Sequence, residues 1–265
     1  MKYFIVADVH SYYDELMKAL NEAGWTNSED QCFVSLGDLC DRGPDTIKCL
    51  EFVNSIPANR KILIRGNHED LMESAICRKQ FLMHDIYNGT VKTADAIAKY
   101  EGFDPPNKKR TYQDNKTILD KVKTSNLWND YVNSTVDFVE IGKNIFVHGW
   151  IPCDVEYKDP WKGDDTKYIK NPNWRKGDWK DARWVNGMRA WSDGVKIKGK
   201  TIWCGHWHTS WGHCHLHNDG VEFPENNVEG SKQKAHFGPF KDTGICAMDA
   251  CTAFSHEVNC EVLDI

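Results

Sequence analysis

The sequence predicts an α/β fold with parallel strands, and three similar strand endings carry that prediction. Tyr3–Ala7, Gln31–Leu36 and Lys61–Arg65 are short, mostly apolar runs, and acidic residues, histidine or asparagine follow closely after each. Helix-like segments separate the runs, so the chain begins as a βαβαβ unit with right-handed crossovers. Ligands collect at the carboxyl ends of strands in such sheets, so the polar residues there are candidate site residues.

Two helices are predicted between these strands. Ser11–Ala23 has apolar residues at helical spacing, with Ser11 placed to cap its start and Gly24 to close its end. Asp45–Ile56 is the second helix, and Pro44 fits its first position.

The middle and the end of the chain are less regular. Helical spacing recurs in three segments, interpreted as a helical insertion over about 69–135: Glu69–Met83, Thr93–Tyr100 and Lys116–Tyr131. A hairpin is expected over 135–147, turning at Gly142, and a Trp-rich ordered loop over about 150–199. Four later runs are predicted as strands of a second sheet: Lys200–Cys204, Cys214–His217, Gly244–Asp249 and Glu257–Leu263.

Length and composition limit the class of protein. With 265 residues and 40% hydrophobic content, we expect a single domain over 1–265, although two small domains would also fit. The formal net charge of -6 argues against general binding to a nucleic-acid backbone. No apolar run approaches the ~18 residues of a membrane span. Ten scattered cysteines without a secretory leader lead us to expect reduced thiols in a cytoplasmic protein.

Three charged side chains are crowded into one stretch after the second strand. Asp38, Asp41 and Arg42 lie within Gly37–Gly43, which also contains Cys40. Crowded carboxylates are costly unless a cation shares their charge, and an adjacent arginine is suited to a phosphate. The stretch therefore predicts a site that combines a divalent cation with a phosphorylated ligand.

Five short motifs resemble those of the calcineurin-like metallophosphoesterases. They are Asp8-x-His10, Gly37-Asp38-x-x-Asp41-Arg42-Gly43, Gly66-Asn67-His68-Glu69, His148-Gly149 and Gly205-His206-x-His208. Arg42-Gly43 and Arg65 resemble the phosphoprotein phosphatase branch, which includes serine/threonine phosphatases and symmetrical diadenosine tetraphosphate hydrolases. The resemblance implies a calcineurin-like two-sheet β-sandwich flanked by helices, with the helical insertion beside the site.

The resemblance also implies a centre of two divalent metal ions. Asp38 would bridge them, Asp8 and His10 would hold the first, and three residues would hold the second: Asn67, His148 and His206. Whether His208 is a metal ligand stays open, because the second histidine of the last motif is a ligand in many metallophosphoesterases but is missing from much of the phosphatase branch. Manganese is the expected metal, and iron or zinc would suit the same ligands.

Catalytic roles follow from the same resemblance. A hydroxide shared by the metals would attack phosphorus, and His68 would protonate the leaving oxygen. Asp41 would hydrogen-bond His68, although the two could form a purely structural pair. Arg42 would clamp the phosphate. Arg183 is favoured over Arg189 as a second clamp, and either could instead be a surface arginine stacked on a tryptophan.

We therefore expect a phosphoester hydrolase, in the first place a serine/threonine-type phosphatase acting on a phosphorylated protein or a small phosphoester. Hydrolysis of a dinucleoside polyphosphate is the alternative. An inactive metal-binding scaffold is a remote alternative, because neither a metal ligand nor His68 has been lost from the motifs.

Two further features bear on the pocket. The tryptophans over 150–211 would either stack a ring of the substrate or pack an irregular loop, and Trp150 is expected to narrow the pocket. His213, His215 and His217 alternate as on one face of a strand, and a structural or solvated role is expected for them.

Overall fold

The computed structural model describes residues 1–106, 109–157, 166–224 and 234–265. The strands, numbered along the chain, are β1 (Lys2–Val6), β2 (Gln31–Ser35), β3 (Lys61–Ile64), β4 (Thr135–Val136), β5 (Val139–Ile141), β6 (Asn144–Phe146), β7 (Cys153–Tyr157), β8 (Thr166–Lys170), β9 (Thr201–Cys204), β10 (Phe240–Asp242), β11 (Ile245–Ala247) and β12 (Cys260–Asp264). The helices are α1 (Tyr13–Ala23), α2 (Thr46–Ser55), α3 (Asn67–Arg78), α4 (Met83–Asn88), α5 (Thr90–Tyr100), α6 (Tyr112–Thr124), α7 (Asn126–Val132), α8 (Trp179–Ala182), α9 (Gly187–Ser192), α10 (Thr209–His217) and α11 (Thr252–Ser255). Trp161 of the predicted Trp-rich loop lies outside the described residues.

The first sheet has the order β12-β1-β2-β3-β4, with β1, β2 and β3 parallel at its centre. This confirms the βαβαβ start. Side chains alternate between its two faces. Phe4 and Phe33 pack under the helices, whereas Ile5 and Val34 face the second sheet.

The second sheet has the order β10-β11-β9-β6-β5 and packs face to face with the first. Phe146, Trp203 and Met248 meet Ile5 and Val34 in the layer between the sheets. The far side of the second sheet is covered by the Trp-rich segment, in a separate buried cluster. The predicted two-sheet sandwich flanked by helices is confirmed.

Helices α3 to α7 form a layer beside the first sheet. The predicted long helix over Lys116–Tyr131 is wrong, because Ser125 is extended (ψ 122) and separates α6 from α7. Its buried hydroxyl donates to Glu101 (Oγ–Oε1 2.6 Å), which fixes the break. The break turns α7 back onto α2 and places Tyr131 in the core.

Two predicted helix starts are wrong. The hydroxyl of Ser11 pairs with that of Thr46 (2.9 Å) and does not cap α1, which begins at Tyr13. Pro44 precedes α2, which begins at Thr46. Gly24 does close α1, with a left-handed φ of 90°.

The second half of the chain shows three larger differences. Cys214–His217 belongs to α10, because the buried residues of Thr209–His217 recur at helical spacing and not at every second position. β12 pairs with β1 in the first sheet and is absent from the second sheet as described. The predicted Trp-rich loop contains the β7–β8 hairpin together with α8 and α9.

Among the described residues, no helix combines the length and the hydropathy that crossing a bilayer requires. All ten cysteines are free thiols, and five of them are buried. Burial raises the pKa of the Cys40 thiol well above its usual range, so this residue of the central motif stays protonated and unreactive.

The buried hydroxyl of Tyr131 gives a test of this packing. It donates to Glu69 (Oη–Oε1 2.7 Å), and both side chains are at most 1% exposed. Tyr131→Phe should lower the free energy of unfolding by about 1–3 kcal/mol, because a buried carboxylate loses a donor. Urea denaturation measures the change. Tyr112→Phe is the control, since that ring is 59% exposed and its substitution should change little. Equal stability of the two variants would contradict the assignment.

Candidate metal centre

Polar side chains from both sheets meet at one edge of the sandwich. Asp8 follows β1, Asp38 follows β2, and Asn67 opens α3 after β3. His148 follows β6 and His206 follows β9 in the second sheet. The two sheets thus contribute their parallel strand ends to one site, as is usual for α/β folds.

Asp38 lies at the centre of this site. Its Oδ1 is 3.4 Å from His148 Nε2, and its Oδ2 is 3.9 Å from His10 Nε2. The same Oδ1 accepts the backbone N–H of His68 at 3.0 Å. Asn67 joins the group through its Oδ1, which is 2.8 Å from His148 Nε2.

Backbone carbonyls orient two of the histidine rings. His10 Nδ1 is 3.0 Å from the carbonyl of Cys40, and His148 Nδ1 is 2.7 Å from that of Leu36. A carbonyl accepts only from a protonated nitrogen, so the proton of each ring in its neutral form is on Nδ1. This leaves Nε2 as the atom that can bind a metal. This arrangement is typical of metal-binding histidines.

Two sets of ligand atoms share Asp38. One comprises His10, Asp38 and His68, the other Asp38, His148 and His206, and within each set the atoms lie no more than 4.8 Å apart. Mixed carboxylate and imidazole donors around a shared carboxylate suit a pair of divalent transition metals. The residues present therefore fit the binuclear centre.

The charges of the buried carboxylates and histidines also favour binding of cations. Burial, Asp249 and Asp38 raise the pKa of Asp8 well above its usual range, since carboxylates face one another without solvent. Burial opposes ionisation of Asp38, but His148 and His68 outweigh it and hold the pKa of that carboxyl well below its usual range. Burial lowers the pKa of His206 to about 3, which leaves its ring neutral and able to bind a metal.

His68, a member of the first ligand set, also faces Arg42. Its Nδ1 is 2.7 Å from Asp41 Oδ2, and its Nε2 is 3.2 Å from Arg42 Nη2. Asp41 is fixed in turn by α5, where the Thr90 hydroxyl donates to it (2.8 Å) and Thr93 accepts its backbone N–H (2.9 Å). The arrangement can hold a proton and a phosphate oxygen on the same side of the centre.

The family model for calcineurin-like phosphoesterases matches residues 1–229. The chain belongs to the calcineurin-like phosphoesterase family. It is 36% identical over 103 residues to serine/threonine-protein phosphatase 1 of Salmonella typhimurium, which is 38% of this chain and 46% of the relative. It is 41% identical over 69 residues to the symmetrical bis(5'-nucleosyl)-tetraphosphatase of Psychromonas ingrahamii, covering 26% of this chain and 24% of the relative.

The chain thus spans less than half the length of either relative. Among solved structures, a cold-active protein tyrosine phosphatase is similar in fold, with a TM-score of 0.51 and 13% identity. That match covers 99% of this chain and 73% of the other.

Arg183 lies in an ion-pair network beside the phosphoesterase site. Its guanidinium donates to Asp70 (Nη1–Oδ2 2.7 Å), to Asp137 and to the carbonyl of Arg65 (3.2 Å). Arg65 pairs with the same Asp70 at 2.7 Å. The expected role as a second phosphate clamp would require Arg183 to leave these partners, so the contacts favour a structural role for it.

His208 points away from the two ligand sets. Its Nδ1 is 2.9 Å from the Ser210 hydroxyl, and its Nε2 is 3.3 Å from Glu222 Oε1. The reason is its position directly before α10, where the chain turns its ring towards Phe223. Among the described residues it joins neither set, so the geometry favours the pattern of the phosphatase branch, in which this histidine is not a ligand.

Asp249 is a site residue that the sequence reasoning missed. It is 6% exposed, and burial raises its pKa to about 6. The turn that it begins is tied to the first motif, because the Thr252 hydroxyl donates to the carbonyl of Asp8 (2.9 Å). The signal was available, since Asp249 follows a strand of the second sheet just as Asp8 and Asp38 follow strands of the first.

The tryptophans divide between the two expected roles. Trp150 is fully buried and donates to the carbonyl of Val195 (3.1 Å), so it does not narrow the pocket as expected. Trp174 and Trp179 are also buried. Trp184 and Trp207 are 47% and 37% exposed and lie against the His206 ring. These two rings border the centre.

Two substitutions compare Asp249 with His208. If the buried carboxylate supports the metals, Asp249→Asn should weaken binding of one metal equivalent by roughly 10–100-fold. His208→Ala should retain both equivalents, because its ring contacts Ser210 and Glu222. Metal content after dialysis against buffered manganese measures both effects. Loss of an equivalent in His208→Ala with full occupancy in Asp249→Asn would reverse the two assignments.

Proposed function

We propose that this phosphoesterase is a two-metal-dependent hydrolase of phosphomonoesters, with phosphorylated serine or threonine side chains as its main substrate class. The observation that carries the proposal is the pair of ligand sets that share Asp38, one of which includes His68, with Arg42 next to that histidine. Nothing in the motifs is missing that an active member would need, which argues against an inactive scaffold. The ten free thiols fit a reducing compartment, and we place the protein in the cytoplasm.

The metal ligands in this proposal are those that meet around Asp38. Asp8 and His10 would hold one ion, Asp38 would be shared, and the second ion would take Asn67, His148 and His206. When bound, the ions would stabilise negative charge on the phosphoryl oxygens and supply an activated water. Manganese, iron and zinc all suit these donors, and manganese is the metal to test first.

His68 is proposed as the general acid and Asp41 as its positioning partner. Burial opposes protonation, but Asp38 and Asp41 outweigh it and raise the pKa of His68, so its ring is suited to carry a proton. Arg42 reaches the same place from the exposed side and would hold two phosphate oxygens in a bidentate contact. His68 contacts both Asp41 and Arg42, so the imidazole and the guanidinium lie next to each other where a phosphate would bind.

A groove next to the centre supports a protein substrate. Its volume is about 440 Å³, and Trp184, which lies against His206, is part of its wall. Three carboxylates line it: Asp154, Asp178 and Asp181. A negative groove repels the additional phosphates of a polyphosphate chain and attracts lysine or arginine near a phosphorylated residue. This favours a basic phosphopeptide.

Trp184 and Trp207 favour the second candidate, a dinucleoside polyphosphate such as diadenosine tetraphosphate. Both rings are partly exposed at the centre. Stacking of a base on such a ring contributes about 1–3 kcal/mol. A relative of that name is 41% identical to this chain over 69 residues.

A direct comparison of substrates tests the proposal. Manganese-loaded protein would be assayed on para-nitrophenyl phosphate, on phosphoserine peptides with and without flanking arginines, and on diadenosine tetraphosphate. We expect the highest kcat/KM on the basic phosphopeptide. A preference for diadenosine tetraphosphate would establish the second candidate. If no substrate is turned over with any metal, the inactive metal-binding scaffold would be the remaining alternative.

Asp38→Asn tests the shared ligand. The substitution removes the negative charge common to both ligand sets, so it should abolish activity and lower metal content at both sites. Elemental analysis gives the number of bound equivalents. Asp30→Asn serves as the control, because Asp30 is an exposed carboxylate at the opposite end of β2 from Asp38. Two full equivalents of metal in Asp38→Asn would exclude the bridging role.

His68→Asn tests the general acid. An alkoxide leaves poorly without a proton, whereas a nitrophenolate leaves with little help. The variant should therefore lose roughly 10²–10⁴-fold on an alkyl phosphate and at least tenfold less on para-nitrophenyl phosphate. Asp41→Asn should show the same selectivity in weaker form, with both metals retained. Equal losses on the two substrates would instead indicate a role in positioning.

A further inference from the structure

A second group of metal-ligating side chains lies at the far end of α10. His213, Asp219 and His236 each direct one ligand atom into it, and the three atoms lie within 4.8 Å of one another. None of these residues belongs to the five motifs. His206 and His208 precede α10, and His213 is the fifth residue of that helix, roughly 6 Å along the axis from its first residue.

The backbone presents these side chains to one point. Asn218 ends α10 in the left-handed conformation (φ 54°), and the backbone N–H of Asp219 donates to the carbonyl of His213 (2.8 Å). This reversal returns the Asp219 carboxylate towards the last turn of the helix. His236 lies on a segment that contacts the α10 end through the bridge between Val221 and Ala235, and its ring stacks on that of His213, with centroids 3.8 Å and planes 19° apart. A metal-binding imidazole directs its lone pair in the plane of the ring, so the half-exposed His236 ring would turn out of this stack to share one ion with His213.

The ring of His213 is oriented like a metal ligand. Its side chain is buried, and its Nε2 is 3.1 Å from the carbonyl of Gly238. That contact requires a proton on Nε2, which leaves Nδ1 unprotonated in the neutral ring. Burial lowers the pKa of His213 and so maintains the neutral form.

The distances fit a small tetrahedral cation. Asp219 Oδ2 is 2.8 Å from His236 Nδ1 and 3.9 Å from His213 Nδ1. Ligands at the 2.0–2.1 Å typical of zinc are roughly 3.3 Å apart in a tetrahedron, a value between these two distances. His236 and Asp219 are half-exposed, so a water molecule can complete the coordination.

We propose that His213, Asp219 and His236 form a peripheral zinc site that fastens the end of α10 to the segment around His236. Two imidazoles and one carboxylate match the donors that zinc prefers. The site is separate from the catalytic centre in both its residues and its position. It does not depend on the proposed phosphatase activity.

Counting zinc tests the proposal on the full chain. Wild type, His236→Ala and Asp219→Asn would be dialysed against the same buffered concentrations of free zinc, and bound zinc measured by elemental analysis. We expect each variant to bind one equivalent less than wild type, whatever number the catalytic centre holds. His84→Ala is the matched control, because His84 and His236 are both 49% exposed and each contacts an aspartate. It should bind as much zinc as wild type.

The result does not depend on turnover, so failure of the phosphatase proposal would leave this difference intact. Retained manganese-dependent activity in His236→Ala would establish that the variant is folded. Equal zinc binding by wild type, His236→Ala and Asp219→Asn at every concentration would overturn the site and leave a hydrogen-bonded surface cluster.

Discussion

The buried carboxylate of Glu69 joins the segments that form the catalytic centre. Its oxygens accept the backbone N–H groups of Gly66 (2.7 Å), Asp38 (3.2 Å) and Leu39 (3.3 Å), together with the Tyr131 hydroxyl (2.7 Å). The loop after β2, the start of α3 and the end of α7 therefore share one anchor. Because Asp38 and His68 lie on these segments, the geometry around the metals depends on that carboxylate.

The strand-end loops adopt backbone conformations that are unfavourable for most residues. φ is 50° at Asp8 and at His10, 52° at Asp38 and 67° at His206. Such positions cost of order 1–3 kcal/mol each, and they persist only where the surroundings hold them. Here the packing of the sandwich below the loops and the helical insertion beside them supply that support. The strain thus accompanies the convergence of ligands from two separate sheets.

Chemistry and recognition are assigned to different parts of the fold. The strand ends carry the proposed metal ligands, and the chain is similar to relatives that bear two different names. Trp184 and the acidic groove belong to the Trp-rich segment that covers the second sheet. Substrate preference can therefore change in that segment without moving a metal ligand. Helix α10 leads from His206 at the strand ends to the proposed zinc site.

The sequence by itself determined the parallel strands and the order of the ligand motifs. Local patterns were sufficient there, because a short apolar run followed by a carboxylate can be recognised in the sequence without knowing which residues it contacts. The contacts that the Arg183 and His208 side chains make were decided only by tertiary structure. The partners of Arg183 are Asp70 and Asp137, which come from distant segments of the chain. The partner of His208 is Glu222, which follows a turn that the sequence pattern does not predict. Asp249 also follows an apolar strand, but only the folded structure shows that it lies close to Asp8, near the opposite end of the chain.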